Sequence, residues 1–216
     1  MTRFFLKFLV FFVLVLMPIC SFAKDKIMII GDSLSAGYGV EQAQAWVNLL
    51  QNKYDSQQKP IDLINTAISG QTTDNALFKV DAWLKAHNPS HVLIELGGND
   101  GIRGFPVKLL RQHLIELVTK SQQAGAHVAL MEIHIPPNLG PRYTTMFTES
   151  YKKVSDETGA YLMPYFMIPI AIKPELMQKD NLHPNEQAQP LISDFMEKEI
   201  DTWLMKTKSN NANALN

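Results

Sequence analysis

Cysteine is nearly absent from this chain of 216 residues, and the single cysteine, Cys20, lies near the N-terminus. A disulfide needs two cysteines, so the fold must be stabilised by its core. The residues after Cys20 can supply neither a thiolate nucleophile nor a thiolate metal ligand. The sequence also lacks His-Glu-x-x-His, and a helix-breaking Pro89 separates His87 from His91. We therefore expect no metal site and no cofactor.

A strong net charge is lacking too. The chain has 20 Lys and Arg residues against 21 Asp and Glu residues, a formal net charge of −1. Nucleic-acid binding requires a concentrated basic surface, so we expect no nucleic-acid partner. Apolar residues make up 46% and charged residues 19% of the chain, a balance typical of a globular protein. The length suits one domain.

Charges are especially sparse in the first 23 residues. Arg3 and Lys7 precede an apolar run over residues 8–17, and Ser21 and Ala23 place small residues where signal peptidase cleaves. This order is typical of a bacterial secretory signal peptide. We expect cleavage after Ala23, a periplasmic or secreted mature protein and no stable membrane anchor thereafter. An uncleaved anchor is the alternative, although the apolar run is shorter than the ~20 residues of a stable span.

Apolar runs and segments with helical spacing alternate along the rest of the chain. Five runs rich in Val, Ile and Leu predict strands buried on both faces: Lys26–Ile30, Ile61–Asn65, His91–Leu96, His127–Ile133 and Ala160–Met163. The helical spacing covers Gln42–Lys53, Asp74–His87, Val107–Ala124, Tyr143–Thr158 and about Asn185–Met205. This alternation predicts one α/β domain over residues 24–216, with a parallel sheet between two layers of helices. The polar tail from about Lys206 is expected to be disordered.

Small, polar, glycine-rich segments follow the first three predicted strands. In parallel sheets, ligands bind beyond the carboxyl ends of the strands, so these segments should meet at one edge. They are Gly31-Asp32-Ser33-Leu34-Ser35, Thr66-Ala67-Ile68-Ser69-Gly70-Gln71-Thr72 and Gly97-Gly98-Asn99-Asp100-Gly101.

Ser33 is a candidate nucleophile, because it lies between the first strand and a predicted helix whose N-terminus would carry positive partial charge. A serine needs a base within hydrogen-bond reach to become nucleophilic. The alternative is that Ser33 or Ser35 merely caps the helix.

Asp180 and His183 are a candidate for that base. Their three-residue spacing places both on the same side of a helical turn or a tight loop. The carboxylate can then hold the imidazole in the tautomer that presents its other nitrogen to a serine. Taken alone, Asp-x-x-His is better explained by a helix start with the aspartate as cap and the histidine on the surface.

Gly70 and Asn99 are candidates for stabilising an oxyanion. Acyl transfer develops negative charge on oxygen, which preorganised donors stabilise. Gly70 can present its backbone N–H, and Asn99 its side-chain NH2. Each segment could equally be an ordinary turn.

Taken together, these segments resemble the four sequence blocks of the SGNH (GDSL) hydrolases, in order. The blocks are Gly31-Asp32-Ser33-Leu34, Gly70, Gly97-Gly98-Asn99-Asp100 and Asp180-Asn181-Leu182-His183. The longer matches Gly31 to Tyr38, Glu95 to Gly101 and His183-Pro184-Asn185 are similar to the bacterial periplasmic acyl-CoA thioesterase I, lysophospholipase L1 and arylesterase group. The resemblance covers Lys24 to about Leu204.

The resemblance implies a role for each block. Ser33 would be the nucleophile, His183 the general base and then acid, and Asp180 the residue that orients it. The oxyanion hole would comprise the N–H groups of Ser33 and Gly70 and the side chain of Asn99. The fold would be a flavodoxin-like α/β/α sandwich with strand order 2-1-3-4-5. The substrates would be small acyl esters, acyl thioesters or lysophospholipids.

Two other functions are alternatives, one an enzyme and one a binding protein. A carbohydrate acetyl-esterase would use the same four blocks, but the similarity of the whole chain favours the first group. A non-catalytic periplasmic binding protein is less consistent, because Asp32 stands where a phosphate loop would hold its anion. The α/β-hydrolase motif Gly-x-Ser-x-Gly is absent, since Ser35 replaces its second glycine. The sequence leaves the oligomeric state undetermined, and we expect a monomer.

Several remaining features have a structural interpretation. We expect Trp46 and Trp83 in the core, and structural roles for His113, His127 and His134. The apolar stretch Met163–Met167 is expected in the core, with an acyl groove as the alternative. The loop over residues 134–143 follows the fourth strand and is predicted to shape the acyl pocket.

Overall fold

A computed structural model describes residues 24–214, and its centre is a five-stranded, all-parallel sheet in the order β2-β1-β3-β4-β5. The strands are β1 (Asp25–Gly31), β2 (Ile61–Asn65), β3 (His91–Glu95), β4 (His127–Met131) and β5 (Tyr161–Met163). The predicted strands and their order are confirmed. The predicted signal peptide, Met1–Ala23, lies outside the described residues.

The two central strands show why the apolar runs form this sheet. Residues 27–30 of β1 and 92–94 of β3 are fully buried, as expected of strands covered by helices on both faces. Gly31 at the end of β1 is in register with Glu95 at the end of β3. The segments that follow these two strands therefore leave the sheet side by side.

Eight α-helices cover the sheet in the described part of the chain. They are α1 (Ser33–Ala36), α2 (Trp46–Ser56), α3 (Thr73–His87), α4 (Gly98–Ile102), α5 (Val107–Gln123), α6 (Pro141–Thr158), α7 (Ile168–Ala171) and α8 (Gln189–Ala214). Helix α2 packs against α8, and α5 packs against α3 and α6, so helices lie on both faces. None of the helices within residues 24–214 combines the length and apolar character that a membrane span needs.

The predicted helix over Gln42–Lys53 is divided in the structure. A single 3-10 turn, Gln42–Gln44, precedes α2, because Ala45 is extended with φ −66° and ψ 142°. Trp46, which is fully buried, donates its backbone N–H to Oε1 of Gln189 at 3.0 Å. The break lets the indole enter the core while α8 supplies the hydrogen bond that a continuous helix would have made. The expected core position of Trp46 is confirmed, and Trp83 packs partly buried against the core.

Helix α8 continues to Ala214, although the sequence predicts disorder from about Lys206. Three contacts attach this segment to the amino-terminal edge of the sheet. Lys208 pairs with Asp25 at 3.2 Å, the ammonium of Lys206 lies 4.7 Å from the ring centre of Tyr161, and Thr207 contacts His91. The prediction omitted these tertiary contacts, which a polar composition does not reveal.

Candidate active site

Ser33 lies at the first position of α1, immediately beyond the carboxyl end of β1. The N-cap residue is Asp32, whose Oδ1 accepts the N–H of Leu34 at 3.0 Å, so the capping role considered for Ser33 belongs to its neighbour. Helix α1 is a single turn that ends at Gly37 in the left-handed region. The helix predicted after Ser33 is therefore present but only four residues long, so its dipole contributes little there.

A tight loop over residues 178–184 holds His183 against Ser33. The N–H of Gln178 donates to the carbonyl of His183 at 2.8 Å, and Asn181 turns the chain with φ 55°. Nε2 of His183 lies 2.9 Å from Oγ of Ser33. The histidine thus reaches the serine from a turn and not from the start of a helix.

Asp180 completes the hydrogen-bonded chain. Its Oδ2 lies 2.7 Å from Nδ1 of His183, while its Oδ1 accepts the N–H groups of Leu182 and His183, each at 3.0 Å. Slight burial pushes the pKa of Asp180 up, but the hydrogen bonds from His183 and Leu182 outweigh it and lower the pKa to about 2. An ionised carboxylate only accepts hydrogen bonds, so Nδ1 carries the proton and Nε2 is free to accept one from Ser33.

Gly70 and Asn99 line the same pocket as Ser33 and His183. Gly70 has φ +78°, a conformation that favours glycine. Asn99 belongs to α4, a short helix where the sequence predicted only a glycine-rich segment. Its Nδ2 donates to the carbonyl of Gln71 at 3.0 Å and to Oδ2 of Asp32 at 3.2 Å. The structure thus brings together every predicted site residue.

Three buried acids near the site were not predicted as site residues: Asp32, which lines the pocket, Glu95 and Asp100. Burial raises the pKa of Asp32 to about 6, against hydrogen bonds from Leu34 and Asn99 and the nearby His183, which lower it. Burial also raises the pKa of Glu95 well above its usual range. The pKa of Asp100 is raised by burial, although Thr73 donates its N–H and hydroxyl to this carboxylate.

Of these acids, Glu95 could have been identified as a candidate site residue from the sequence. It is a charged residue inside a predicted strand with apolar neighbours on both sides. Its Oε2 accepts the hydroxyl of Ser35 at 2.7 Å, and its Oε1 is buried without a hydrogen-bond partner. An acid buried in this way marks a functional site more often than a surface acid does.

The pocket has a volume of about 250 Å³ and an apolar wall beside the polar groups. The wall consists of Leu34, Tyr38, Ile102, Ile135, Pro136, Tyr165 and Leu182. The ring of Tyr38 lies 4.5 Å from that of His183, centre to centre. A small polar centre with an adjoining apolar wall suits a substrate that has a reactive carbonyl and an acyl chain.

The lining of the pocket bears on several predictions about individual histidines and about the segments that follow β4 and β5. His134 lines the pocket, and its ring stacks on that of Tyr165 with the ring centres 6.0 Å apart, so the structural role expected for His134 stays a prediction. The first residues of the loop over 134–143 shape the pocket, as predicted. The stretch Met163–Met167 is mostly core, as expected, and only Tyr165 faces the pocket. His113 contacts Thr73 and His127 packs on His91, which agrees with structural roles.

Known proteins match this chain over most of its length. The model of the GDSL-like Lipase/Acylhydrolase family matches residues 29–190. An arylesterase of Vibrio mimicus is 41% identical over 178 residues, covering 82% of this chain and 89% of the relative. The thioesterase 1/protease 1/lysophospholipase L1 of Escherichia coli K12 is 42% identical over 190 residues, covering 88% and 90%.

A solved structure agrees with these matches. The psychrotrophic esterase EstA from Pseudoalteromonas sp., inhibited by monoethylphosphonate, is 56% identical, with a TM-score of 0.83. The similarity covers 84% of this chain and 99% of EstA. These comparisons show that this chain belongs to the GDSL-like lipase/acylhydrolase family, and the geometry of Ser33, Asn99 and His183 agrees with them.

Proposed function

We propose that this protein is a serine hydrolase of acyl esters and thioesters that forms an acyl-enzyme on Ser33. The observation that carries the proposal is the continuous chain from Oγ of Ser33 to His183 at 2.9 Å and from His183 to Asp180 at 2.7 Å. This is the arrangement that activates a serine by a neighbouring base. The names of the arylesterase and thioesterase relatives support the same class of substrate.

Acylation begins with attack of Oγ of Ser33 on the substrate carbonyl carbon. His183 takes the hydroxyl proton on Nε2, and the ionised Asp180 stabilises the imidazolium that forms. The carbonyl oxygen becomes an oxyanion, for which the donors are the N–H groups of Ser33 and Gly70 and Nδ2 of Asn99. The tetrahedral intermediate then collapses, and the leaving alkoxide or thiolate takes the proton from His183.

Deacylation repeats these steps with water. His183 removes a proton from the water, the hydroxide attacks the acyl carbonyl, and Ser33 leaves with the proton returned by His183. The products are a carboxylic acid and the free enzyme. Every residue in these steps comes from one chain, so a monomer suffices, and none of the steps uses a metal or a cofactor.

A panel of aryl esters and acyl-CoAs of increasing chain length tests the proposal. We expect the wild type to hydrolyse members of both classes and the Ser33→Ala variant to hydrolyse neither. The same variant controls for contaminating esterases, because it is purified in the same way. Equal hydrolysis by Ser33→Ala and wild type, or hydrolysis of no ester by the wild type, would overturn it. The apolar wall predicts that acyl chains longer than acetyl are accepted, which separates this function from a carbohydrate acetyl-esterase.

We also propose that the protein is exported and that its mature form begins at Lys24. The support is the basic, apolar and small-residue order of Met1–Ala23. N-terminal sequencing of the active protein from its native host should find Lys24 first. Active protein that begins at Met1 or Thr2 would contradict export by cleavage.

A further inference from the structure

One buried carboxylate, that of Asp32, connects the segment that carries Ser33 with the segment that carries Asn99. Its Oδ1 accepts the N–H of Leu34 at 3.0 Å, which fixes the turn that presents Ser33. Its Oδ2 accepts from Nδ2 of Asn99 at 3.2 Å. Asp32 is 4% exposed, so water does not compete for these contacts. The two oxygens of the Asp32 side chain thus link the turn that carries Ser33 to the side-chain amide of Asn99.

The same contact determines which end of the Asn99 amide faces this part of the site. The nitrogen lies between two acceptors, the carbonyl of Gln71 at 3.0 Å and Oδ2 of Asp32 at 3.2 Å. Rotating the amide by half a turn would set its own oxygen against both of these oxygens, without any hydrogen to share. Asp32 and Gln71 therefore select the orientation that Asn99 needs in order to act as a donor.

The Asp32 carboxylate has little freedom to leave this position. A Cβ at Gly98 would lie 3.2 Å from Oδ2 of Asp32, so the absence of a side chain there permits the close approach. At the end of β3, Oε2 of Glu95 accepts hydrogen bonds from the hydroxyl of Ser35 at 2.7 Å and from the N–H of Asp32 at 3.4 Å. The turn over residues 31–35 is thereby fixed to the end of β3, three residues before α4 begins.

We propose that Asp32 is a positioning residue, which holds the Asn99 amide and the Ser33 turn in register so that the nucleophile and an oxyanion donor keep a fixed separation. The inference rests on the proposed function, because the orientation of Asn99 affects turnover only if Asn99 binds the oxyanion. At 3.2 Å the contact lies at the long end of the range of about 2.7–3.2 Å for N–H···O hydrogen bonds. The developing oxyanion can therefore share the N–H that Asp32 holds at rest.

A double-mutant cycle separates positioning from a merely structural role. In Asp32→Asn the new amide has one oxygen and one NH2, so it must present a donor to Leu34 or to Asn99 and lose that contact. We expect kcat on an aryl ester to fall by about 10- to 100-fold with little change in KM. This is less than the loss expected from removing an oxyanion donor outright, because the Asn99 amide is misplaced and not absent. In the Asn99→Ala background the same substitution should lower kcat by less than about 3-fold, because the amide it positions is gone.

Glu95→Gln is the matched control, since it also replaces a buried acid of the same cluster with the corresponding amide. Glu95 contacts Ser35 and the backbone of Asp32, and not the Asn99 side chain. Whatever its effect on kcat, we expect the same factor in the wild-type and Asn99→Ala backgrounds.

A second variant keeps the test decisive if Asp32→Asn fails to fold. Serine is a good N-cap, so Asp32→Ser retains a cap for Leu34 and loses the reach to Asn99. It should show the same loss of kcat and the same dependence on Asn99. An equal loss in both backgrounds, or a normal kcat in folded Asp32→Ser, would overturn the positioning role. If Asn99→Ala alone keeps a normal kcat, the oxyanion assignment of the proposed function fails instead.

Discussion

The two halves of the site hold their acids in opposite environments. The loop half, residues 178–184, carries Asp180, whose side chain is 41% exposed. Slight burial raises the pKa of Asp180, but the hydrogen bonds from His183 and Leu182 outweigh it and lower the pKa to about 2. The sheet half, residues 31–35, 70–71 and 95–100, carries Asp32, whose pKa burial raises to about 6. One aspartate is ionised at little cost, and the other is ionised at the expense of folding stability.

This difference indicates what each half contributes. In the proposed mechanism the loop half needs a negative charge beside His183, and the exposed Asp180 carboxylate with its three hydrogen bonds supplies that charge. The sheet half needs rigid geometry, which buried acids give only if the rest of the fold offsets their desolvation. Replacements in the loop half should therefore change turnover more than stability, whereas replacements of the buried acids in the sheet half should change both.

The largest effect is expected in the loop half, from Asp180→Asn. The amide can place its NH2 against Nδ1 of His183 and favour the tautomer that cannot accept the proton of Ser33. We expect kcat to fall on the order of 10⁴-fold while the melting temperature changes little, because Asp180 is exposed. Kinetics on an aryl ester and a thermal melt of one preparation measure both. A folded Asp180→Asn enzyme with near-normal kcat would remove Asp180 from the mechanism.

Asn99→Ala probes the sheet half without removing a charge. In the proposed mechanism its Nδ2 donates to an oxyanion that the ground-state substrate lacks, so kcat should fall by about 100- to 1,000-fold with KM little changed. Some activity should survive, because the N–H groups of Ser33 and Gly70 remain. A thermal melt beside the kinetics should show that most of the melting temperature is kept. Normal turnover with lowered stability would mean that Asn99 only shapes α4.

The pH dependence of stability sharpens the comparison. The folded-state pKa of Asp32, raised to about 6 by burial, exceeds the value of about 3.8 of a free aspartate, so Asp32 contributes more stability when protonated. That contribution declines as the pH rises from about 4 to 6. The lowered pKa of Asp180, due mainly to its hydrogen bonds with His183 and Leu182, has the opposite effect, with stability lost as the pH falls from about 4 to 2.

Asp32→Asn should therefore become more stable relative to wild type as the pH rises from 4 to 7. The pH-dependent part of the difference should reach about 3 kcal/mol, from a shift of roughly two pKa units. The ionisable groups that influence Asp32 are Glu95 and Asp100 on the sheet side and His183 on the loop side, all present in both proteins. Urea unfolding at each pH measures the difference. A constant difference would show that Asp32 does not titrate in this range.

The smallest effect is expected at the apolar wall, from Leu182→Ser in the loop half. Leu182 lines the pocket but is 39% exposed, so it adds contact with a long acyl chain and little to folding. We expect KM for a long-chain aryl ester to rise about 4-fold, because burying one methylene group of the acyl chain against Leu182 is worth about 0.8 kcal/mol. Turnover of an acetate ester should stay the same. Equal changes for short and long esters would mean that the chain does not lie along Leu182.

The sequence predicts the loop half better than the sheet half. Asp180 and His183 are three residues apart, so their pairing is local and their spacing reveals it. The parallel sheet follows from the strongly apolar strands, and its strand order was implied by the resemblance that the four sequence blocks carry. The approach of Asp32 to Asn99 depends instead on the register of β1 against β3, which puts Gly31 opposite Glu95. Side chains brought together by that register leave no periodic signal in the sequence.

Covalent labelling tests the central claim, that His183 activates Ser33, most directly. A fluorophosphonate forms a stable adduct with an activated serine, and the relative EstA is known in a form inhibited by monoethylphosphonate. We expect the label to map to the peptide that contains Ser33, to disappear in Ser33→Ala and to weaken greatly in His183→Ala. Labelling of Ser33→Ala that matches the wild type would contradict the account, because the nucleophile would then be another residue.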